Sequence, residues 1–264
     1  MKNLKEKLGL DVRITTNNKL ILGVDLTDPD LAIRSAEEAR TYFLDPESKS
    51  PADLYYMYRA TCRLTDYKKI QQAGFRFDIT VIPSGKIGQE FIKTIGHFHP
   101  YRPGIQIKYP EIYEIVSGQA FFILQNEDLN QIYIIHAKEG EKAVMLPGFG
   151  HVTVNAFHQP LVMSNWVYAD FKSEYTIYKE HRGAAYYAIE KNNKINFIPN
   201  KNYKDIVKYK EFKPKSKIEL AADFRKPMYQ QGLEDNFEKL DYLKNPENYL
   251  QKLTVEYCYQ QIQN

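Results

Sequence analysis

Gly96-His97-Phe98-His99 opens the stretch that decides the fold, Pro110-Glu111-Ile112-Tyr113 carries it toward Gly118, and Pro147-Gly148-Phe149-Gly150-His151-Val152-Thr153-Val154-Asn155 closes it. In an extended strand, residues i and i+2 point to the same face. His97 and His99 can therefore turn both imidazoles toward one point, and Glu111 and Tyr113 share the same relation. His151 comes from a later strand, just past the Pro147–Gly150 turn. Three imidazoles and a carboxylate on apolar segments make a donor set for a divalent transition metal, with Fe, Mn, Ni and Zn all compatible. An octahedral ion there keeps positions open for two substrate oxygens. Glu114 is the competing carboxylate, but strand alternation turns it to the face opposite Tyr113. His136, His158 and His181 are isolated and read as structural.

Around this block the apolar runs are short and punctuated by turns. Phe75–Ile82 alternates and is stopped by Pro83-Ser84-Gly85. Runs at Tyr113–Val116, Ala120–Leu124, Gln131–Ile135, Lys142–Leu146, His151–Ala156 and Leu161–Tyr168 follow, separated by turn residues. Short strands at a spacing of roughly ten residues indicate an all-β sandwich or barrel. Upstream, Val12–Ile14 and Leu20–Val24 flank Asn17-Asn18 like the arms of a hairpin. Thr27-Asp28-Pro29-Asp30 carries helix-start signals, and Ala32, Ala36, Ala39 and Phe43 recur at helical spacing, which predicts a helix ending near Asp45-Pro46-Glu47. The aromatic cluster Leu54–Arg59 fits either strand or helix. Beyond about residue 200 the chain is Lys-rich and then helical in pattern, with a Leu233, Phe237, Leu240 stripe and a cap-like Asn245-Pro246-Glu247. The expectation is a mainly β chain forming one domain. Residues 1–69 are an N-terminal α+β embellishment, 70–180 the barrel, and 181–264 a C-terminal extension with helices, serving as cover or dimer arm.

The 264-residue length allows a full core, and 43% hydrophobic with 26% charged residues is a globular composition. A formal net charge of +3 is too small to argue for nucleic acid, yet it admits an anionic small substrate. Two cysteines, Cys62 and Cys258, argue against a disulfide framework. The basic N-terminus lacks an apolar signal core, and no window approaches the roughly 18 apolar residues of a membrane helix. The expectation is a soluble cytoplasmic protein with no membrane partner.

Gly-His-x-His, a downstream Glu with a Gly beyond it, and Pro-x3-His-x3-Asn resemble the two cupin motifs. More narrowly, Thr80-x2-Pro83, Gly88-x-Glu90-x3-Thr94-x-Gly96-His97-x-His99 and Glu111-x-Tyr113-x4-Gly118 resemble the cupin-type glucose-6-phosphate isomerases of archaea and some bacteria, over roughly residues 54–178. That resemblance implies a cupin (double-stranded β-helix, or jelly-roll) barrel in a homodimer. It implies that His97, His99, Glu111 and His151 hold one divalent metal per subunit, Fe(II) first, with Mn(II), Ni(II) or Zn(II) able to substitute. Thr80, Thr94 and the Gly96 backbone match positions that receive the sugar phosphate. Tyr113, Tyr175 and Tyr55 match substrate-facing tyrosines, and Glu111 matches the base of a cis-enediol route. Two positions depart from the family pattern: the long excursion from His99 to Glu111, and Ser173, where many members carry a histidine. Other readings of the same motifs are a cupin dioxygenase on the same iron site, a non-catalytic sugar-phosphate-binding cupin, and an isomerase that also takes mannose 6-phosphate.

Overall fold

The computed structural model describes residues 1–221 and 226–262. Strands β1 (Lys2–Asn3), β2 (Val12–Ile14) and β3 (Leu20–Leu22), with the short helix α1 (Lys5–Leu8), form a small antiparallel sheet, so the N-terminal hairpin is present. Next come β4 (Asp30–Ser35), α2 (Ala36–Ala39), β5 (Asp53–Arg59), α3 (Tyr67–Ala73), β6 (Phe75–Ile82), β7 (Lys86–Ile87) and β8 (Glu90–Phe91). The central strands are β9 (Glu111–Ser117), β10 (Gln119–Asn126), β11 (Ile132–Lys138), β12 (Lys142–Met145), β13 (Phe149–Val154) and β14 (Leu161–Tyr168). After α4 (Thr176–Glu180) follow β15 (Tyr186–Lys191), β16 (Lys194–Pro199), β17 (Lys210–Pro214), α5 (Met228–Glu234), α6 (Val255–Cys258) and β18 (Tyr259–Gln261).

Two large sheets carry the fold. One has the order β12-β9-β14-β6-β5-β4, the other β13-β10-β11-β17-β18. Pairing within both is antiparallel apart from β11 with β17. Their inner faces meet: the rings of Tyr113 on β9 and Phe122 on β10 lie 5.5 Å apart. The molecule is mainly β with two facing sheets, as the strand spacing predicts, in the cupin type of barrel that the motif resemblance implies.

Alternation on the six-stranded sheet divides its residues between two environments. On β9, Glu111 and Tyr113 point into the barrel, while Glu114 points out, where its carboxylate accepts the Met228 N–H at 2.9 Å. On β14, Asn165 points in and Trp166 points out, its indole donating to the Met228 carbonyl at 3.0 Å. Phe77, Trp166 and Tyr229 pack as a tilted and edge-on cluster under α5, with Phe237 against Trp166. Trp166 and Tyr229 are fully buried, and each such side chain stabilises the fold by roughly 2–3 kcal/mol.

Four expectations need correction, and one left open is decided. The predicted Thr27–Phe43 helix is instead β4, then the one-turn α2 capped by the Ser35 hydroxyl, then a 3-10 turn at Arg40–Tyr42. Six residue pairs between β4 and β5 supply backbone partners that a helix would forgo, so sheet pairing overrides the local helical spacing. The aromatic cluster at 54–59 is strand β5. The tail is less helical than its pattern predicts: β15 to β18 lie in it, and β17 and β18 extend the five-stranded sheet. At the other boundary β4 and β5 belong to the six-stranded sheet, so neither sheet stops at residue 70 or 180. Asn245 makes no side-chain cap for the 3-10 turn that Pro246 begins. Residues 222–225 and 263–264 of the extension lie outside the described residues. Cys62 and Cys258 are buried and unpaired.

Candidate metal centre

The segment carrying His97, which is an isolated bridge rather than the expected strand, meets β13 through reciprocal backbone hydrogen bonds, His97 N–H to His151 O at 3.3 Å and His151 N–H to His97 O at 3.1 Å. Gly96 lets it come so close: its φ is +79°, and a Cβ there would stand 2.5 Å from Val152 Cγ2 and 2.8 Å from Tyr178 Cε1. Opposite, β9 presents Glu111. One possible ligand atom each from His97, His99, Glu111 and His151 all lie within 4.8 Å of one another. Glu111 Oε2 is 3.4 Å from both His99 Nε2 and His151 Nε2, and His97 Nε2 is 3.2 Å from His99 Nε2.

The surroundings fix which atoms face inward. His99 Nδ1–H donates to the Tyr109 carbonyl at 2.9 Å, which leaves a bare lone pair on Nε2 when the ring is neutral. Asn165 Nδ2 donates to Glu111 Oε1 at 2.6 Å, which turns Oε2 toward the imidazoles. Both ring nitrogens of His151 are buried without a hydrogen-bond partner. Burial holds the His151 imidazole below its ordinary pKa; burial and the neighbouring His151 and His99 hold His97 well below its own, so both favour the neutral, ligating form. Burial alone would raise Glu111. The close approach of the His151 and His99 imidazoles outweighs it and holds the carboxyl well below the usual carboxylate range. Burial and then the Glu111 charge push the Tyr113 phenol far up. Bare nitrogens and a carboxylate oxygen converging in a dry site repel one another unless a cation stands among them, so the residues present fit a divalent metal.

A cavity of about 90 Å³ opens beside the cluster and is lined by Tyr55, Thr80, Thr94, Gly96, Tyr113 and Tyr175, along with His97 and His151. All the substrate-side residues expected from sequence therefore share one space. Tyr55 accepts the Ile95 N–H at 3.4 Å, and the Thr94 hydroxyl oxygen accepts the Thr153 N–H at 3.0 Å, so its own proton is free to donate. The Tyr175 ring stands 5.5 Å from that of His97.

Sequence reasoning missed three residues. Arg34 and Arg59 line the same cavity, and Arg34 Nε is buried without a hydrogen-bond partner. They come from β4 and β5, one of them within the segment read as helix, which hid the pairing. Asn165 is the third; its signal is a polar residue inside the otherwise apolar Leu161–Tyr168 run. Ser173 also lines the cavity, whereas His181 stacks on Tyr203 at 4.0 Å with Nδ1 on the Ile177 carbonyl. His136 bonds Gln119 and His158 is exposed. Glu114 pairs with Lys142 at 2.9 Å on the other face of the sheet. The long excursion after His99 is a hairpin: Arg102 N–H donates to Ile107 O at 2.8 Å and Tyr109 N–H to Pro100 O at 3.3 Å, so the chain returns in register for Glu111.

Residues 31–207 match a family model described as glucose-6-phosphate isomerase. Among curated relatives, the chain is 26% identical over 208 residues to a glucose-6-phosphate isomerase of Thermococcus kodakarensis, a match spanning 76% of this chain and 98% of the relative. It is 25% identical over 206 residues to the one from Pyrococcus abyssi, again spanning 76% and 98%. A putative glucose-6-phosphate isomerase 2 of Rhizobium meliloti is 30% identical over 115 residues, 43% of this chain and 54% of that one. Among solved structures, an oxalate oxidase is 14% identical with a TM-score of 0.32, covering 42% of this chain and 49% of that one. An oxalate decarboxylase of Bacillus subtilis is 15% identical with a TM-score of 0.33, covering 48% of this chain and 29% of that one. These two structural likenesses carry no further argument.

Proposed function

The chain belongs to the glucose-6-phosphate isomerase family, and from that premise we propose that it is an aldose–ketose isomerase that interconverts glucose 6-phosphate and fructose 6-phosphate at the centre described above. The observation that carries the proposal is a single cavity lined by His97 and His151 together with Arg34, Arg59, Thr80 and Thr94. A sugar phosphate has matching parts: vicinal oxygens at C1 and C2, and a dianion at its far end.

In this reading His97, His99, Glu111 and His151 hold the divalent ion, with Fe(II) as the native candidate. When bound, that ion supplies Lewis-acid polarisation of the substrate carbonyl. The chain's own residues do the rest. Arg34 and Arg59 take the phosphate with charge-assisted hydrogen bonds, and the hydroxyls of Thr80 and Thr94 and the Gly96 amide fix its orientation. Tyr55, Tyr113 and Tyr175 close over the sugar and keep water from the reacting carbons. Glu111 removes a proton from one carbon and returns it to the other through a cis-enediol of the sugar, while the hydroxyl proton passes between the two sugar oxygens.

Both Glu111 oxygens are engaged, Oε1 by Asn165 and Oε2 by the imidazole side. This favours a second reading of the same step, in which hydrogen passes directly between C1 and C2 as hydride and no protein base acts at carbon. Solvent deuterium in recovered product supports the enediol; full retention of a C2 label supports the hydride shift. The decisive test of the function is conversion of fructose 6-phosphate by apo protein reconstituted separately with Fe(II), Mn(II), Ni(II) and Zn(II). Turnover with at least one ion is expected, and none with any of them overturns the proposal. Oxygen consumption by the ferrous protein would point instead to a dioxygenase. The reading includes a cytoplasmic homodimer, which sedimentation at micromolar concentration checks for its oligomeric part.

A further inference from the structure

The family match ends at residue 207, yet the segment beyond it reaches back to the hairpin that follows His99. The contact is made on the Pro100–Tyr109 hairpin. Arg102 reaches the tail with a two-pronged guanidinium, Nη1 2.9 Å from Glu247 Oε1 and Nη2 3.0 Å from Asn245 Oδ1. Those acceptors are themselves held in place. Asn245 Nδ2 donates to Asp241 Oδ1 at 2.7 Å, and the Tyr249 hydroxyl donates to Asp241 Oδ2 at 3.1 Å. The other end of the hairpin is Tyr109, whose carbonyl takes the Nδ1 proton of His99. The Tyr109 ring stacks on Tyr168 and Phe171, both at 5.1 Å, and the Phe171 ring is 4.5 Å from that of His99. The tail's Lys244 ammonium lies 5.9 Å from the Tyr168 ring centre. On the barrel side the hairpin is anchored independently, by Lys108 to Glu127 and Glu174 at 2.7 and 3.0 Å.

We propose that the C-terminal segment positions the metal ligand His99, acting through Arg102 and the Tyr109 carbonyl. The hydrogen bond from a ligand histidine to its outer partner sets both tautomer and ring orientation, and that bond is only as fixed as the backbone supplying the carbonyl. Lys108 alone leaves the hairpin hinged on one side. Arg102 closes the other side with a rigid planar fork that a lysine cannot reproduce. Arg102, Asn245 and Glu247 are positioning residues: none of them lines the cavity. The inference rests on the metal assignment of the cluster and is independent of which sugar phosphate, if any, is converted.

Titration of the full-length apo protein with Co(II), followed by its visible absorption, tests this without any turnover. Arg102→Ala and Glu247→Gln are each expected to weaken Co(II) binding about 3–10-fold, less than the 10–100-fold of a direct ligand partner, and to alter the band shape. Arg102→Lys should recover part of the loss, and the double variant should be no weaker than Arg102→Ala alone. Lys252→Ala, which removes the tail's ion pair with Glu219, is the control for general loosening of the tail and should bind as the unaltered protein does. If Arg102→Ala does not fold, Glu247→Gln, a partly exposed and near-isosteric change, decides. Unchanged affinity and spectrum in the folded Arg102 and Glu247 variants would overturn the proposal, as would an equal loss in Lys252→Ala. An unaltered protein that binds no Co(II) would overturn it together with the metal assignment.

Discussion

The two faces of the six-stranded sheet solve the same electrostatic problem in opposite ways. Glu111 and Glu114 stand three residues apart on β9, and both are almost fully buried at 4% exposure. Glu114 is completed by its own chain, with the Lys142 ammonium at 2.9 Å and the Met228 N–H at 2.9 Å. Glu111 has one amide donor on Oε1, and its Oε2 lies 3.4 Å from the His99 and His151 nitrogens. A neutralised carboxylate contributes to folding. One that faces bare imidazole nitrogens, with no ammonium or guanidinium paired to it among the described residues, fits a cation supplied from outside the chain. The difference separates the face that holds the tail from the face that does chemistry.

Substitutions should split along that line. The largest effect is expected for Glu111→Gln, with turnover falling on the order of 10²–10⁴-fold in protein that keeps its fold and, after reconstitution, its metal; metal content measured beside kcat checks this, and full activity in metal-replete variant would discard Glu111 as the base. On the other face, Glu114→Leu leaves the Lys142 charge without its carboxylate and should lower stability by about 3–5 kcal/mol, read by denaturant unfolding, with Co(II) affinity of the folded fraction unchanged. Adding Lys142→Met to it should return most of that loss, because a buried ion pair replaced whole by apolar side chains is near neutral. Asn165→Leu releases Glu111 Oε1 and should weaken metal binding by about 10–100-fold with a smaller effect on unfolding, measured by chelator competition. The smallest shift belongs to Arg34→Met, where loss of one charge-assisted contact to phosphate should raise KM about tenfold with kcat nearly kept. An equal fall in kcat would move Arg34 from substrate binding to the reaction itself.

Much of this was legible in the chain because the information was local. Glu111-Ile112-Tyr113 places its side chains through strand alternation, His97 and His99 are two apart on a bridged segment beside β13, and the turn residues between apolar runs mark the strands. What escaped was set by pairing between distant segments. Arg34 and Arg59 line one cavity because β4 lies against β5, Arg34 opposite Tyr55 and Arg59 opposite Asp30, an edge pairing that the helical spacing of Ala32, Ala36 and Ala39 contradicts. Asn165 meets Glu111 through the β14–β9 register, in which Asn165 stands opposite Tyr113. The hairpin between His99 and Glu111 looked like a threat to the ligand set. It preserves the set because its ends are hydrogen-bonded and because Tyr109 gives a carbonyl to His99. The tail misled in a different way: its apolar stripe is real, with Phe237 and Leu240 buried, but sheet edges and aromatic packing use it rather than long helices.

The edge of the five-stranded sheet has a consequence for how the chain is made. β17 joins β11 in parallel, Tyr133 beside Lys210, and β18 then pairs with β17, Phe212 beside Gln261. At ordinary synthesis rates of about 5–20 residues per second, the partner of β11 leaves the ribosome on the order of ten seconds after β11 itself. For that interval the nascent barrel carries an open strand edge, the kind of surface that recruits other chains. Once made, β17 is itself the outer edge until β18 arrives, and Lys208, Lys210, Lys213 and Lys215 in and around it put like charges there and discourage chains at the same stage of synthesis from pairing.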